Sequence, residues 1–432
     1  MILSDIAEYV TEKVNSDKIT LNQYVTTDSL LQNKRGRQTA QNLPSMPCVL
    51  TSYSQGDILI SNIRPYLKKI WFADSNGGCS TDVLVFRAKK GHSSNFLFAL
   101  LMQDAFFSYM MQGSKGSKMP RGDKNQIMHY KVPTFSSFEE ENIGNIIVNI
   151  ERKIALNRQI NDNLEAMAKQ LYDYWFVQFD FPNEEGKPYK SSGGIMLNCK
   201  ELGRVVPEGW GHMQIKDFCK TYSGGTPKST ERSYYENGDI PWINSGELNE
   251  PYITSTNNFI TQLGLDNSSA KYYPSNSVLV AMYGATAGKV SILTFEACSN
   301  QAICGVIPNE SKYIYYVRFY LDSMYQHFVS ISTGSARDNI SQDTIKNTIV
   351  PIPNTNVLEK FATIVDPIVN RIVANLKEND NLIKQRDELL PLLMNGQVSV
   401  AQLNYHLSFG ILFVYLFLYS QNMEYVWQQK IY

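Results

Sequence analysis

Two stretches of the chain space their hydrophobic residues alternately four and three positions apart, a pattern that predicts long helices paired along an apolar seam. The first stretch covers 138–178, and Ser137 with Glu140 has the spacing of a capping box at its start. Two asparagines interrupt the apolar seam, where a buried amide typically fixes the register of paired helices. The seam positions of this stretch are Ile143, Ile147, Ile150, Ile154, Asn157, Asn161, Leu164, Ala168, Leu171 and Trp175.

The same pattern returns within 354–400, where every seam position carries a number higher by 218 than its counterpart. Nine of the ten positions agree in character, including both asparagines, and only Ala168 and Arg386 differ. We therefore predict an internal duplication with two antiparallel coiled-coil helices. Pro367 predicts a start or kink in the opening turns of the second helix, and Pro391 predicts its end. The second set of seam positions is Phe361, Val365, Ile368, Ile372, Asn375, Asn379, Leu382, Arg386, Leu389 and Leu393.

A globular region precedes each helix, and short runs in the two regions correspond at numbering offsets between 218 and 220. Aliphatic and β-branched runs bounded by Gly, Asn, Asp and Ser predict strands, while 96–111 and 313–330 each predict a helix. The fold class is therefore α+β, with two homologous domains joined and separated by the two long helices. The predicted boundaries are 1–137 for the first domain, 138–178 for the central helix, 179–200 for a linker rich in Pro, Gly and charge, 201–353 for the second domain, 354–400 for the C-terminal helix and 401–432 for an extension of unknown role.

Charge is distributed unevenly, although the net charge of the chain is only −1. Residues 1–137 hold 16 Lys and Arg against 10 Asp and Glu, a net charge of +6, whereas 201–353 hold 11 against 14. A basic first domain is compatible with a polyanionic partner. The six cysteines include no C-x-x-C pair and the five histidines are scattered, so we expect free thiols and no metal site.

The two ends of the chain bear on whether the protein is exported and whether it associates with a membrane. The first residues include acids where a signal peptide needs a basic and then an apolar run, which favours a cytoplasmic location. In the C-terminal extension, the apolar run 407–419 has about 13 residues, short of the roughly 20 that a membrane span requires. No membrane partner is expected.

Motifs for catalysis are largely missing. The run 284–290 has three residues between its glycines instead of four, and valine where a phosphate-binding loop needs a hydroxyl. No Asn-Pro-Pro-aromatic run, as an adenine methyltransferase would need, is present. Asp180, Glu185 and Lys187 could form a nuclease-like set, but they lie in the predicted linker. We therefore predict no catalytic residues, and a self-contained nuclease remains an alternative.

The remaining candidates for a functional site are loops with basic and amide side chains, above all 113–126 and its counterpart 333–342. Lys and Arg hold phosphates, whereas Arg, Asn and Gln also pair with the edges of guanine or adenine. For each single residue, the alternative is that it lies in a solvated surface loop and does not bind DNA. The candidate DNA-binding residues are Lys34, Arg35, Arg37, Arg64, Lys68, Lys69, Lys115, Lys118, Arg121, Lys124, Asn125, Gln126, Thr226, Lys228, Lys289, Arg337, Asn339 and Gln342.

At this point the chain resembles the specificity subunits of type I restriction–modification systems, over residues 1 to about 400. The resemblance rests on the twofold arrangement of globular region and long helix, and on a set of short phrases that are specific only together. These phrases are GDILISNIRPY (56–66), YWF (174–176), GKPYKSSGG (186–194), PEGW (207–210), SGGTP (223–227) and LLPLLMNGQ (389–397).

The resemblance implies two target-recognition domains that read the halves of a bipartite site in double-stranded DNA. It also implies that the helices set the spacing and dock two methyltransferase subunits, which restriction/translocase subunits join. These partners supply S-adenosylmethionine, ATP and Mg²⁺, and the chain itself binds no cofactor. The seam residues from Ile150 to Leu164 and from Ile368 to Leu382 are our candidates for helix register and partner docking. Besides a nuclease that acts alone, a scaffold that binds proteins or glycans remains an alternative.

Overall fold

The computed structural model describes residues 1–116, 118–332 and 340–398. The chain divides into two compact units. Unit 1 contains the described residues of Met1–Ala155 and Asp380–Tyr432, and unit 2 contains Leu156–Asn379. Within the described ranges, no helix is both long enough and apolar enough to cross a bilayer.

Unit 1 is built on two four-stranded sheets. Its strands are β1 (Ala7–Tyr9), β2 (Lys13–Asn15), β3 (Tyr24–Val25), β4 (Val49–Tyr53), β5 (Ile58–Ser61), β6 (Ile70–Phe72), β7 (Gly77–Cys79) and β8 (Val83–Ala88), and its short helices are α1 (Leu3–Ile6), α2 (Ser94–Leu101), α3 (Asp104–Gln112) and α4 (Lys124–Ile127). The first sheet is antiparallel, in the order β1-β8-β5-β6. The second has the order β2-β4-β7-β3, and its β3–β7 pair is parallel.

The apolar run of β5 forms a strand that is covered on both faces. Side chains alternate across a strand, so Ile58 and Ile60 lie on one face and Leu59 on the other. All three are completely buried. Ile58 and Ile60 pack with α2 and α3 in one hydrophobic cluster, while Leu59 packs with Tyr53 and Trp71 in another. This double coverage fixes the register of the β5–β6 hairpin and the position of its loop.

Unit 2 repeats this architecture and adds further strands. Its strands are β9 (Met196–Cys199), β10 (Arg204–Pro207), β11 (Gly211–Gln214), β12 (Cys219–Ser223), β13 (Ile240–Ile243), β14 (Tyr252–Ile253), β15 (Phe259–Ile260), β16 (Ser277–Ala281), β17 (Val290–Leu293), β18 (Cys298–Ser299), β19 (Ile303–Pro308) and β20 (Ile349–Ile352). Its short helices are α6 (Ile215–Phe218), α7 (Gln262–Asp266), α8 (Ile314–Ser323), α9 (Tyr325–Ser332) and α10 (Gln342–Lys346). The sheet order β12-β19-β16-β17 reproduces β1-β8-β5-β6 of unit 1, which confirms the duplication, and β14 extends it.

Each predicted domain helix is in fact two helices. Gln103 takes an extended conformation between α2 and α3, and Met324 separates α8 from α9. The predictions of one helix over 96–111 and over 313–330 were therefore wrong at equivalent places. Hydrophobic residues continue on both sides of each break, so periodicity alone gave no sign of it.

The two predicted long helices are present as α5 (Ser137–Tyr172) and α11 (Thr355–Met394). Pro367 does not start α11, which was one of the two possibilities predicted for it, and Pro391 does not end the helix, contrary to our prediction. Pro367 is solvent-exposed, and Pro391 lies in the last turn, where Asn395 still donates its backbone N–H to the Pro391 carbonyl at 3.0 Å. An interior proline costs a helix roughly 3 kcal/mol, a cost that the buried seam of α11 offsets.

The capping box at the start of α5 is shifted by one residue from its predicted place. Glu139 accepts hydrogen bonds from the backbone N–H and the hydroxyl of Ser136, both at 2.8 Å. The backbone N–H of Glu139 donates back to Ser136 Oγ. Glu140 is instead buried against His92, with 2.9 Å between its Oε1 and His92 Nδ1. Our assignment of Ser137 with Glu140 was therefore wrong.

The seam residues of both helices point inward. Sixteen of the twenty predicted seam positions are buried. The other four are half-buried, and none is exposed; they are Ile150, Leu164, Leu171 and Ile368. A side chain at a seam position is thus removed from water along the described length of both helices.

The four seam asparagines form two hydrogen-bonded pairs in unit 2. Asn157 Nδ2 donates to Asn379 Oδ1 at 3.0 Å, and Asn375 Nδ2 donates to Asn161 Oδ1 at 2.8 Å. The repeat relates the two pairs. The donors Asn157 and Asn375 are 218 positions apart, and so are the acceptors Asn161 and Asn379. The pair numbers rise along α5 as they fall along α11, so the two helices run antiparallel in unit 2.

The one mismatch between the two seams is compensated by its partner. In unit 1, Arg386 is buried and its Nη1 lies 2.5 Å from Glu151 Oε1. The counterparts of this pair in the repeat are Ala168 and Val369, and both are buried in the core of unit 2. In unit 1 a buried arginine, which pairs with the half-buried Glu151 and lies 2.9 Å from Asp387, thus replaces an apolar contact of unit 2.

The segment 179–200, predicted to be a linker, is packed onto unit 2. Phe181 stacks on Tyr189 with ring centroids 4.8 Å apart, and both Phe179 and Phe181 contact Trp210. Asp180 accepts hydrogen bonds from the Ser191 N–H and hydroxyl at 2.7 and 2.6 Å. Aromatic residues between the glycines and prolines explain why the segment is ordered here.

Candidate nucleic-acid interface

The loop of the β5–β6 hairpin, residues 62–69, has an unusual backbone. Arg64 and Lys68 both adopt the left-handed conformation, with φ of 50° and 49°, on either side of a 3₁₀ turn at Pro65–Leu67. Residues with a Cβ rarely take this conformation, and such strain concentrates at functional sites.

The β16–β17 hairpin of unit 2 carries a loop of the same build, residues 282–289. Gly284 and Gly288 occupy the left-handed positions, with φ of 78° and 83°, around a 3₁₀ turn at Gly284–Thr286. They are the counterparts of Arg64 and Lys68 at the numbering offset of the two hairpins. Glycine adopts this conformation without strain, so the shared backbone is imposed on unit 1 by its surroundings.

Ion pairs and backbone hydrogen bonds hold the unit 1 loop in place. Lys34 is buried, and its Nζ lies 2.7 Å from Asp104 and 3.4 Å from Asp387. Asp104 also accepts from Lys68 at 2.8 Å. The backbone N–H of Lys34 donates to the Lys68 carbonyl. Because its charge is buried and paired, Lys34 is not among the DNA contacts that we propose.

Two further basic candidates are occupied by contacts within the unit. Lys69 Nζ donates to the Thr27 carbonyl at 2.5 Å, and burial, aided by the nearby Arg64, lowers the pKa of the Lys69 ammonium. Arg37 donates to the Asn22 carbonyl at 2.7 Å and lies over the Trp71 ring at 4.3 Å. These side chains stabilise the loop base.

The loop 113–122 docks directly on the hairpin loop. The Arg64 N–H donates to the Pro120 carbonyl at 2.8 Å, and the Gly122 N–H donates to the Asn62 carbonyl at 3.2 Å. The two loops therefore form one surface, which we call the unit 1 loop pair. Its exposed basic side chains are Arg64, Lys115, Lys118 and Arg121, and the candidates Arg35 and Lys124, outside the two loops, are also exposed.

The members of the unit 1 loop pair differ in how firmly they are held. Lys115 is 85% exposed and pairs with Asp123 at 3.4 Å. Arg121 lies 2.9 Å from Asp82, which fixes the guanidinium while more than half of it remains exposed. Asn125 is exposed at the start of α4.

Gln126 faces inward and serves the fold. Its Nε2 donates to the Tyr109 carbonyl at 2.9 Å, and its side chain packs closely against Gly113. The predicted reader in unit 2, Gln342, is held in the same manner by Thr221 and Ser223. Both amides are committed to contacts inside their unit, so neither is among the contacts that we propose.

The unit 2 loop pair, residues 282–289 and Ile340, repeats one docking contact of unit 1. The Ile340 N–H donates to the Met282 carbonyl at 2.9 Å, and these two residues are the counterparts of Gly122 and Asn62 in the repeat. Lys289 is exposed, with its ammonium 5.3 Å from the centroid of the Tyr325 ring. Arg337 and Asn339 lie outside the described residues.

The other unit 2 candidates are exposed but make local contacts. Thr226 hydrogen-bonds Gln301, and Lys228 lies 3.8 Å from Glu231. The sequence reasoning did not include Tyr283, whose ring is 39% exposed beside the unit 2 loop.

The structure does not assemble the nuclease-like set. Asp180 is held by Ser191, whereas Lys187 pairs with Glu185 at 2.8 Å on the surface. Side chains able to hold a metal ion do converge elsewhere in unit 2, although the sequence predicted no metal site. They are Cys199, Glu201 and His212.

Comparison with known proteins identifies the family. A model of the type I restriction modification DNA specificity domain matches the chain twice, over residues 5–166 and 207–385. The chain belongs to this family. The two matches coincide with the repeated halves and include both loop pairs.

Relatives from distant organisms match nearly the whole chain. The HindI specificity subunit of Haemophilus influenzae is 25% identical, with 92% of this chain and 98% of the relative covered. The MjaIX specificity subunit of Methanocaldococcus jannaschii is 26% identical, with coverages of 85% and 84%.

The fold is shared with a solved structure. The crystal structure of a type I restriction–modification S subunit from M. genitalium covers 91% of this chain and 95% of its own, with a TM-score of 0.55 and 13% sequence identity. At this identity the likeness concerns the fold, which is mixed α and β with an internal repeat.

Proposed function

We propose that this chain is the DNA specificity subunit of a type I restriction–modification complex, in which each unit reads one half of a bipartite site. The observation that carries the proposal is the matched loop pair. Each unit has a hairpin loop with two left-handed residues, and a backbone hydrogen bond joins that loop to the residue two positions before a short helix, Gly122 before α4 and Ile340 before α10. The family model matches the chain twice, once over each of these loops. Two equivalent surfaces suit two half-sites.

The chemistry of the unit 1 loop pair supports a division of labour. Lys115 and Lys118 are exposed, which suits salt-dependent contacts with phosphates. Arg121 is held by Asp82, so its fork is oriented before binding, as bidentate recognition of a guanine edge requires. Arg64 projects from a strained, fixed backbone position.

We further propose that α5 and α11 form an antiparallel coiled coil that sets the spacing of the half-sites and docks two methyltransferase subunits. Their seam is inward and fixed by the asparagine pairs. Leu156, Met167 and Ile364 remain about half exposed on these helices. Apolar side chains on a helix surface are the kind of contact that a partner subunit covers.

Catalysis belongs to other subunits in this account. Members of this family are specificity subunits, and the methyltransferase and restriction subunits would bring S-adenosylmethionine, ATP and Mg²⁺. This chain selects the DNA site.

The proposal is tested by DNA binding and cleavage with the purified full chain, alone and with the methyltransferase encoded beside it. We expect salt-dependent binding that becomes sequence-selective with the methyltransferase, and no cleavage by the chain with Mg²⁺ alone. Cleavage by the chain alone would favour the nuclease alternative. Absence of DNA binding under both conditions would favour the scaffold alternative.

A further inference from the structure

Three potential metal ligands converge at the edge of the β9–β10 hairpin. Cys199 ends β9, Glu201 lies in the following turn, and His212 lies in β11. Cys199 Sγ is 3.8 Å from His212 Nδ1 and 3.5 Å from Glu201 Oε2. All three ligand atoms lie within 4.8 Å of one another.

These separations match those of donors around a tetrahedral zinc ion. Zinc–sulfur bonds are about 2.3 Å long, and zinc–nitrogen and zinc–oxygen bonds about 2.0 to 2.2 Å. At a tetrahedral angle, sulfur and its nitrogen or oxygen neighbour are then about 3.5 Å apart. The two measured separations are within a few tenths of an ångström of that value.

We propose that Cys199, Glu201 and His212 form a site for one divalent transition metal ion, with zinc preferred and a fourth position open to water. A thiolate together with an imidazole selects zinc or its neighbours over magnesium and calcium, which prefer oxygen ligands. Three protein ligands and an open position also distinguish this site from a closed structural zinc site with four.

The surroundings favour entry of an ion. Glu201 and His212 are exposed and Cys199 is half-buried, so all three side chains can be reached from solvent. Glu201 Oε2 already lies 3.5 Å from the Cys199 sulfur.

The other cysteines of unit 2 do not offer such a site. Cys219, Cys298 and Cys304 are buried, and burial raises the pKa of each thiol to about 12. Within the described ranges, no other three His, Cys, Asp or Glu side chains converge in this way. Cys48 of unit 1 is exposed and serves as a matched control.

The ion would link two neighbouring elements of unit 2 through their side chains. The hairpin β9–β10 carries two of the ligands, and β11, which pairs with β20, carries the third. A ligand that binds only the folded form stabilises it by mass action. The expected effect is a zinc-dependent rise in the Tm of unit 2.

Cobalt provides a direct probe, because a cobalt–thiolate bond gives a charge-transfer absorption band. The full chain, purified with a tag that contains no histidine and stripped of metal, is titrated with Co²⁺. We expect one equivalent to produce the band and Zn²⁺ to abolish it. The C199S variant should lose the band, C48S should retain it, and E201Q and H212Q should bind Co²⁺ at least about tenfold more weakly.

Thermal unfolding completes the test. With chelator present, the three ligand variants should unfold at the temperature of the unaltered chain, whereas Zn²⁺ should raise the Tm only where all ligands are intact. A band that survives in C199S, or no band at saturating Co²⁺, overturns the proposal. If C199S is unstable with chelator, the E201Q variant on the exposed turn provides the test instead. Unaltered cobalt affinity in E201Q would then overturn the proposal.

Discussion

At the scale of single residues, the environment separates charges that serve the fold from charges that face solvent. Lys34 and Arg121 look alike in the sequence, yet Lys34 is buried between two aspartates and Arg121 remains mostly exposed beside one. Side chains of this kind could not be sorted from the sequence, because a basic residue in a loop has no periodicity. The left-handed backbone at Arg64 and Lys68 could not be predicted from the sequence either. Glycine indicates this conformation only in unit 2, where Gly284 and Gly288 occupy the equivalent positions.

Arg121→Ala should relax recognition at one base position. Losing a bidentate contact with a base costs about 1–3 kcal/mol of discrimination against the wrong base. The matched control is Lys115→Ala, which should weaken binding to all sequences alike and lower the salt dependence by about one unit of slope. Competition binding with single-base variants of the site, measured at several salt concentrations, separates the two effects. Equal losses at every position for Arg121→Ala would argue against its role as a base reader.

Glu151 and Arg386 should show strong coupling. Removing one partner of a buried ion pair costs about 3–5 kcal/mol, while replacing both by apolar residues is often neutral or stabilising. Because unit 2 uses Val369 and Ala168 at the equivalent places, E151V/R386A is the natural double variant. We expect each single variant to unfold at a lower denaturant concentration and the double variant to recover. Additive losses in the cycle would show that the exchange is not compensatory.

At the scale of elements, helices with a strict seam were the most predictable part of the chain. The spacing of four and three placed α5 and α11 and identified their buried residues, because the apolar face of a helix repeats along its whole length. Prolines misled the prediction of α11, since a long buried seam outweighs a local loss of hydrogen bonding. The breaks between α2 and α3 and between α8 and α9 were missed because they interrupt no apolar pattern.

The asparagine pairs should fix how the long helices align. Asn157→Leu removes the hydrogen bond that the buried Asn379 accepts from Asn157 and places an apolar side chain beside that amide, at a cost of about 1–3 kcal/mol. Replacing both residues of the pair by leucine removes that penalty, so stability should be restored or improved. The expected drawback is lower specificity of pairing, which light scattering would detect as mixed oligomeric states. A double variant that is stable, has a single oligomeric state and keeps its preference for the DNA site would contradict a role of these asparagines in fixing the register.

Shortening both long helices should shorten the spacer of the DNA site if they set it. Removing seven residues from each helix, one full seam repeat, keeps the apolar pattern and shortens each helix by about 10 Å. The spacer between half-sites should then fall by at most about three base pairs. Removing seven residues from the extension 401–432 is the control and should leave the spacer as it is. An unchanged spacer after the helix deletions would end the spacing proposal.

At the scale of the whole molecule, the duplication explains most of what the sequence could predict. The paired long helices and the equivalent loops follow from one repeat, which was read from matching phrases at a nearly constant numbering offset. The order of the strands was not predicted. Where the halves differ, prediction was weakest. The packed segment 179–200 was taken for a linker, because its glycines and prolines concealed the aromatic contacts that hold it. The cluster of Cys199, Glu201 and His212 brings together two neighbouring residues and one 11 positions later, a spacing that matches no familiar metal motif.

The central claim is that each unit reads its own half of a bipartite site. Genome-wide mapping of methylated bases, in cells that carry this chain with its methyltransferase, tests it most directly. The unaltered chain should give one motif with two specified halves and an unspecified spacer. Arg121→Ala should relax one half, and Arg337→Ala, the counterpart predicted from sequence, should relax only the other. A motif without a spacer, or two variants that relax the same half, would contradict the account.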